Sequence, residues 1–253
     1  MPLIRVRRPA LAAAAAIVPV DQVLPWSATR FLCGGDNISG DGKNFDDESF
    51  YADNLSQSGG AFQQGTTKKF GAGAFQGDGS GDHVSGTSDT DAGLQILTQD
   101  FFIGSWIKTT DSQTSNAKGI IALPFVSGAG GPFCHLYMST GKKLVFAVSG
   151  GEAEHVIVGT TTINDGNWHF CAAMRKGGTT ISLFVDDNHE GDMPQGDFSI
   201  GASSTSSRSY WGTHPSSSSA RSWNGHLDEG VIAVGWGIAK DDYLAPTAAF
   251  ARS

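Results

Sequence analysis

Residues 164–188 read NDGNWHFCAAMRKGGTTISLFVDDN, and their punctuation decides the fold class. Asn164-Asp165-Gly166-Asn167 is a turn signal, because Asp-Gly tolerates the left-handed backbone of a tight reversal. Residues 168–174 follow as an apolar and aromatic run of strand length. Lys176-Gly177-Gly178 turns again, residues 180–185 extend again, and Asp186-Asp187-Asn188 reverses the chain once more. Strand and turn alternating at this spacing predict antiparallel hairpins.

The same rhythm continues outward. Residues 101–107, 120–126, 134–138, 143–148 and 155–158 read as strands, and 225–234 as the last one. They recur roughly every ten to fifteen residues, which predicts an antiparallel two-sheet sandwich. A strand such as 102–108 should turn one face to the core, making Trp106 a core aromatic, and Trp168 likewise. The serine-rich stretch 202–222 reads as a long surface loop. Its Tyr210, Trp211 and His214 are the candidate ligand contacts, since exposed aromatics can stack on a sugar or a protein partner. Residues 241–244 predict a helical turn stopped by Pro246.

Composition narrows the function classes. The chain has 253 residues and a net charge of −8, so a generic nucleic-acid binder, which needs a basic surface, is excluded. The 34 glycines have no three-residue period, which excludes collagen, and 15 Phe with 6 Trp are enough aromatics to bury a core. Cys33, Cys134 and Cys171 are odd in number and lack CxxC spacing. They read as small buried apolar residues rather than a disulfide framework or zinc site.

The chain opens MPLIRVRRPALAAAAAIVPV, a basic start and then a short alanine-rich run. This has the order of a secretion leader but is too short for a membrane span. With Met1 retained, the alternative is an extended N-terminal arm, residues 1–28, that docks on a neighbouring subunit through Arg5, Arg7, Arg8, Ile17 and Val18. The expected body is residues 29–240 and the tail 241–253. No catalytic constellation stands out. Glu152-Ala153-Glu154 reads as a turn, Asp228 and Glu229 are adjacent and so face opposite ways on a strand, and no Gly-x-Ser-x-Gly or His-Glu-x-x-His occurs. His169 reads as a satisfied structural histidine.

Five stretches in register resemble the laminin-G-like domains of the concanavalin A-like superfamily. They are Lys69-Phe70-Gly71-Ala72-Gly73-Ala74-Phe75 leading to Gly79-Ser80-Gly81-Asp82-His83-Val84, then residues 100–108, 164–170, 181–186 and Gly225-His226-Leu227-Asp228-Glu229. The resemblance implies an all-β, two-sheet antiparallel jelly roll. It places Asp82 and Asp228 where relatives carry rim acids that help hold a structural calcium; otherwise the two acids cap turns. Phe31-Leu32-Cys33-Gly34-Gly35-Asp36-Asn37, Asn44-Phe45-Asp46-Asp47-Glu48-Ser49 and Phe70-Gly71 also look like domains carried on bacteriophage virion proteins. That finer resemblance implies a non-enzymatic capsid-decoration or tail protein in the virion, with other virion subunits and copies of itself as partners and a host glycan as candidate ligand. The alternative is a secreted bacterial carbohydrate-binding module.

Overall fold

The computed structural model describes residues 17–52, 54–88, 94, 96–123, 133–150, 154–178, 180–194, 208–214 and 219–252. Its strands in chain order are β1 Thr29–Cys33, β2 Ser56–Ser58, β3 Phe62–Gln64, β4 Ala74–Asp78, β5 His83–Ser88, β6 Phe101–Lys108, β7 Lys118–Leu123 and β8 Phe133–Met138. They continue as β9 Lys143–Ser149, β10 His155–Thr162, β11 Trp168–Arg175, β12 Thr180–Val185, β13 Asn188–Pro194, β14 Arg208–Trp211 and β15 Asn224–Val234. One sheet runs β13-β12-β11-β6-β15-β4-β3, with β1 also paired to β15; the other runs β10-β9-β8-β7-β14-β5-β2. Every pairing between these strands is antiparallel, so the predicted two-sheet sandwich is what forms.

The turns at 176–178 and 186–188 close the hairpins β11–β12 and β12–β13, whereas the turn at 164–167 carries the chain from β10 in one sheet to β11 in the other. Phe170 lies opposite Trp106 on β6, and Cys171 opposite Val185 on β12. Gly166, Gly177 and Gly178 all take positive φ, as the turn signals required. His169 sits between Asp186 at 2.8 Å and Asp165 at 3.1 Å, a satisfied structural residue. The three cysteines are free and buried.

Two features depart from expectation. First, the inner sheet strands are buried on both faces. Phe101, Ile103 and Ile107 fill the layer between the sheets, while Phe102, Trp106, Phe170, Met174 and Phe184 form a second apolar layer on the far side. The near-continuous apolar run of 101–107 was the signal for two covered faces, because alternation serves only a strand with one wet face. Trp106 and Trp168 are core aromatics of this second layer, Trp168 being half-buried at its edge.

Second, that layer is covered by both chain ends. Val20 is buried there, with Leu24, Trp26 and Ala28 packed alongside, and Tyr243, Ala245 and Phe250 come from the other end. The Val20 N–H donates to the Leu244 carbonyl at 3.1 Å, and the Thr247 N–H to Asp21 at 2.8 Å. Residues 20–28 therefore pack on their own domain, and 243–252 are part of the body, not a tail. Of the arm residues, Ile17 is exposed and Val18 half-buried, while Arg5, Arg7 and Arg8 lie outside the described residues. The predicted turn near 241 is a 3-10 helix, Lys240–Asp242. No helix among the described residues is long and apolar enough to cross a membrane.

Candidate functional site

The three aromatic candidates of the serine-rich stretch separate at β14. Trp211 is 0% exposed and points between the sheets, packed against Phe31, Phe45 and Phe75. Its indole lies on Gly230, where a Cβ would collide with the ring, and its Nε1–H donates to Ser105 Oγ at 3.2 Å. Trp211 is thus a core residue, correcting the ligand-contact reading. The cause is parity: on a strand its neighbour Tyr210 must face the other way.

Tyr210 faces outward, and the pairing register shows what surrounds it. Tyr210 lies opposite Ala122, and Ala122 lies opposite His135. The two rings therefore sit on one face, two strands or about 10 Å apart. On β8, Cys134, Leu136 and Met138 belong to the inter-sheet core, so Phe133, His135 and Tyr137 take the outward face. His83 on β5 meets Tyr210 at a 5.6 Å centroid distance.

His214 completes the patch. The segment 212–214 leaves β14 and crosses β7 at Gly119, whose missing side chain lets the Thr213–His214 peptide lie on the strand. The Trp223 N–H donates to the Gly212 carbonyl at 2.7 Å, closing the base of the loop. His214 then lies 4.5 Å from the His135 ring and 5.7 Å from that of Tyr137. The Arg221 Nη1 donates to His214 Nδ1 at 3.3 Å.

Burial, then the neighbouring His214 and Arg221, push His135 down to about 3. Burial and Arg221 push His214 down to about 4. Both imidazoles are neutral at neutral pH; His214 already accepts from Arg221, whereas His135 has one donor and one acceptor to place. His135 is only 6% exposed, and among the described residues neither of its ring nitrogens has a hydrogen-bond partner. A buried polar group without a partner costs about 1–3 kcal/mol, so these two nitrogens are the exception on a face whose other rings are half-buried.

The sequence reading named Tyr210 and His214 but missed His135, Tyr137, His83 and Arg221. The signal for two of them was there: in FCHLYM the inward Cys, Leu and Met alternate with Phe, His and Tyr.

Asp82 and Asp228, the acids proposed for calcium, both accept backbone N–H groups. Asp82 accepts the N–H groups of Gly60 at 2.5 Å and Asp78 at 2.6 Å, one on each carboxylate oxygen. Asp228 accepts those of Lys69 at 2.7 Å and Phe70 at 3.1 Å. These acids cap turns, while Asp228 Oδ1 is buried without a partner among the described residues. Among the described residues no three His, Cys, Asp or Glu side chains gather to hold a metal ion. The adjacent Glu229 takes a positive φ of 49° at a bulge and turns to Arg252 at 2.5 Å and to the Phe250 N–H at 2.7 Å. Asp228 and Glu229 therefore serve different partners.

A polar cleft of about 510 Å³ at one end of the sandwich is lined by Lys108, Asp111, Gln113, Asn224 and His226. Its buried acid, Asp111, already faces the Lys118 ammonium at 3.7 Å.

Comparison with known proteins agrees with this architecture. No curated protein sequence matches the chain. Among solved structures, it is similar to the binding domain of botulinum neurotoxin serotype D, at 11% identity and a TM-score of 0.64, over 88% of this chain and 51% of that one. It is also similar to the binding domain of Paraclostridial Mosquitocidal Protein 1, at 12% identity and a TM-score of 0.63, over 86% of this chain and 51% of that one. The receptor-binding domain of the botulinum neurotoxin C/D mosaic serotype matches at 11% identity and a TM-score of 0.62, over 86% and 50%. The chain thus spans about half the length of these structures, and at such identities the likeness is one of fold. The sequence pattern of one family covers residues 78–233, from the end of β4 to the end of β15, which is more than half the chain. With both sheets in place around that segment, the chain belongs to the concanavalin A-like lectin/glucanases superfamily.

Proposed function

We propose that this chain is a non-enzymatic, lectin-like binding domain displayed on a bacteriophage virion, and that it contacts glycan through the patch of His83, His135, Tyr137, Tyr210 and His214. The observation that carries the binding half is His135. Two buried ring nitrogens without partners, set among half-buried aromatic rings, suit a ligand with many hydroxyls and an apolar ring face. The non-enzymatic half draws support from Asp228 and Glu229, which are engaged by backbone N–H groups and by Arg252. Among the similar structures are receptor-binding domains of botulinum neurotoxins. For botulinum neurotoxin type C, cell entry depends on interaction with two ganglioside molecules. That is support by analogy of fold.

The virion half rests on the short motifs at 31–37, 44–49 and 70–71 and on a basic arm set against an acidic body. Other virion subunits and further copies of this chain are its partners in this reading. A glycan microarray with the full chain, and mass spectrometry of purified particles, test the two halves. Binding that is lost in His135→Ala and Tyr137→Ala variants that still fold is expected; no glycan bound by the wild type would overturn the binding half. Absence of the chain from particles of its source would overturn the virion half. The leader-like order of residues 1–20 favours the second reading, a secreted carbohydrate-binding module. N-terminal sequencing of the native protein decides it: a chain cut near residue 20 is that module.

A further inference from the structure

The guanidinium at the edge of the patch indicates which saccharides it takes; this rests on the glycan reading above. We propose that the patch binds an acidic saccharide whose carboxylate pairs with Arg221. The residue sits at the end of the 3-10 turn Ser219–Arg221. That turn is held firmly. Lys118 Nζ donates to the Ala220 carbonyl at 2.9 Å, and the Gly81 N–H donates to the Ser219 carbonyl at 3.0 Å. Among the described residues no carboxylate pairs with Arg221, as is true of several other cations, but Arg221 alone of these borders the His135–His214 pair. Its neighbour is the uncharged His214, and the guanidinium is half-buried. A partly desolvated cation without a counter-ion is a place for an anion.

The geometry suits a carboxylate in particular. A guanidinium presents paired N–H donors that match two carboxylate oxygens, and the contact to His214 uses only one edge of that fork. The positive charge of Arg221 reaches the whole cluster, since it lowers the proton affinity of both His135 and His214. Around it, neutral His135 offers a donor and an acceptor to hydroxyls, and the Tyr137 ring stands 5.5 Å from that imidazole. Glu154 adds negative charge near Tyr137. The carboxylate is therefore directed to the Arg221 side and the uncharged ring atoms of the sugar to the Tyr137 side.

The test is calorimetric titration of the full chain with sialylated and uronic-acid oligosaccharides beside their neutral counterparts. An acidic member is expected to bind at least about tenfold more tightly than its neutral partner, the worth of one hydrogen-bonded charge pair. Arg221→Gln should erase that difference, and Arg221→Lys should restore part of it. Equal affinity for acidic and neutral sugars, unchanged in Arg221→Gln, overturns this inference while the glycan reading stands. If no sugar of either kind binds, both fall. Circular dichroism melting of each variant separates a lost contact from a lost fold.

Discussion

The peptide joining Thr213 to His214 lies directly on Gly119, so closely that a Cβ at residue 119 would fall inside it. One missing side chain on β7 thus sets the height of His214 above the sheet, and with it the 4.5 Å contact to His135. Gly119→Ala should lift the crossing segment. Overpacking of this kind costs about 1–3 kcal/mol. The expected result is a lower urea midpoint together with loss of glycan binding. A variant of wild-type stability and affinity would show that the crossing does not position His214.

Trp211→Ala should cost about 3–5 kcal/mol, the range for emptying a buried aromatic site. The cost arises because the indole fills the space over Gly230 and engages Ser105. Equilibrium unfolding measures it. A side chain that served only as a ligand platform would leave stability unchanged when removed.

Acid should destabilise the fold through the histidine pair. His135 and His214 are held at about 3 and about 4, below their ordinary value, so the unfolded chain binds more protons than the folded one between there and about 6.5. Stability is full above that window and is lost as pH falls through it. The double variant His135→Gln, His214→Gln should flatten this limb of a stability–pH curve measured by chemical unfolding.

Asp228 acts in the opposite sense. Burial, aided by the negative charges of Glu229 and Asp36, pushes it up to about 8 against the N–H groups of Phe70 and Lys69. A carboxyl raised in the folded state contributes most below its unfolded value, and that contribution fades as pH rises to about 8. Asp228→Asn keeps an acceptor for the two N–H groups and removes the ionisation. It should match the wild type near pH 5 and exceed it at pH 9, in melting experiments, by on the order of a few kcal/mol.

Calcium should leave the domain indifferent. Asp82 and Asp228 already accept N–H groups. Millimolar calcium or a chelator should therefore move the Tm by less than about 1 °C, since a ligand stabilises only what it binds. A rise of several degrees with calcium would show a site outside these two acids.

Much of the sandwich was legible because its signals are local. Glycine and Asp-Gly turns need left-handed backbone, and the strands between them carry β-branched and aromatic residues. The short strand β14 was not legible: it lies in a serine-rich stretch, and only pairing with β5 and β7 makes it a strand. Residues 20–28 and 243–250 were misread as outlying for a related reason. Their apolar side chains, Val20, Leu24, Trp26, Tyr243 and Phe250, are too few and too scattered to show a period, and they gain meaning only against Phe102, Phe170 and Phe184.

The sequence by itself determined the all-β class and the turns at 176–178 and 186–188, because alternation and turn chemistry act over a few residues; the superfamily was indicated by the resemblance of five short motifs. Tyr210 and Trp211 face opposite ways only because pairing with β5 and β7 makes β14 a strand, on which side chains alternate. Which of the two meets the core was decided by the tertiary structure, where Ser105 and Gly230 receive the indole. The same holds for the patch. His83, His135, Tyr137, Tyr210, His214 and Arg221 come from strands and loops far apart in the chain. They meet because β5, β14, β7 and β8 are neighbours in one sheet, an order fixed by long-range pairing and by the burial it allows.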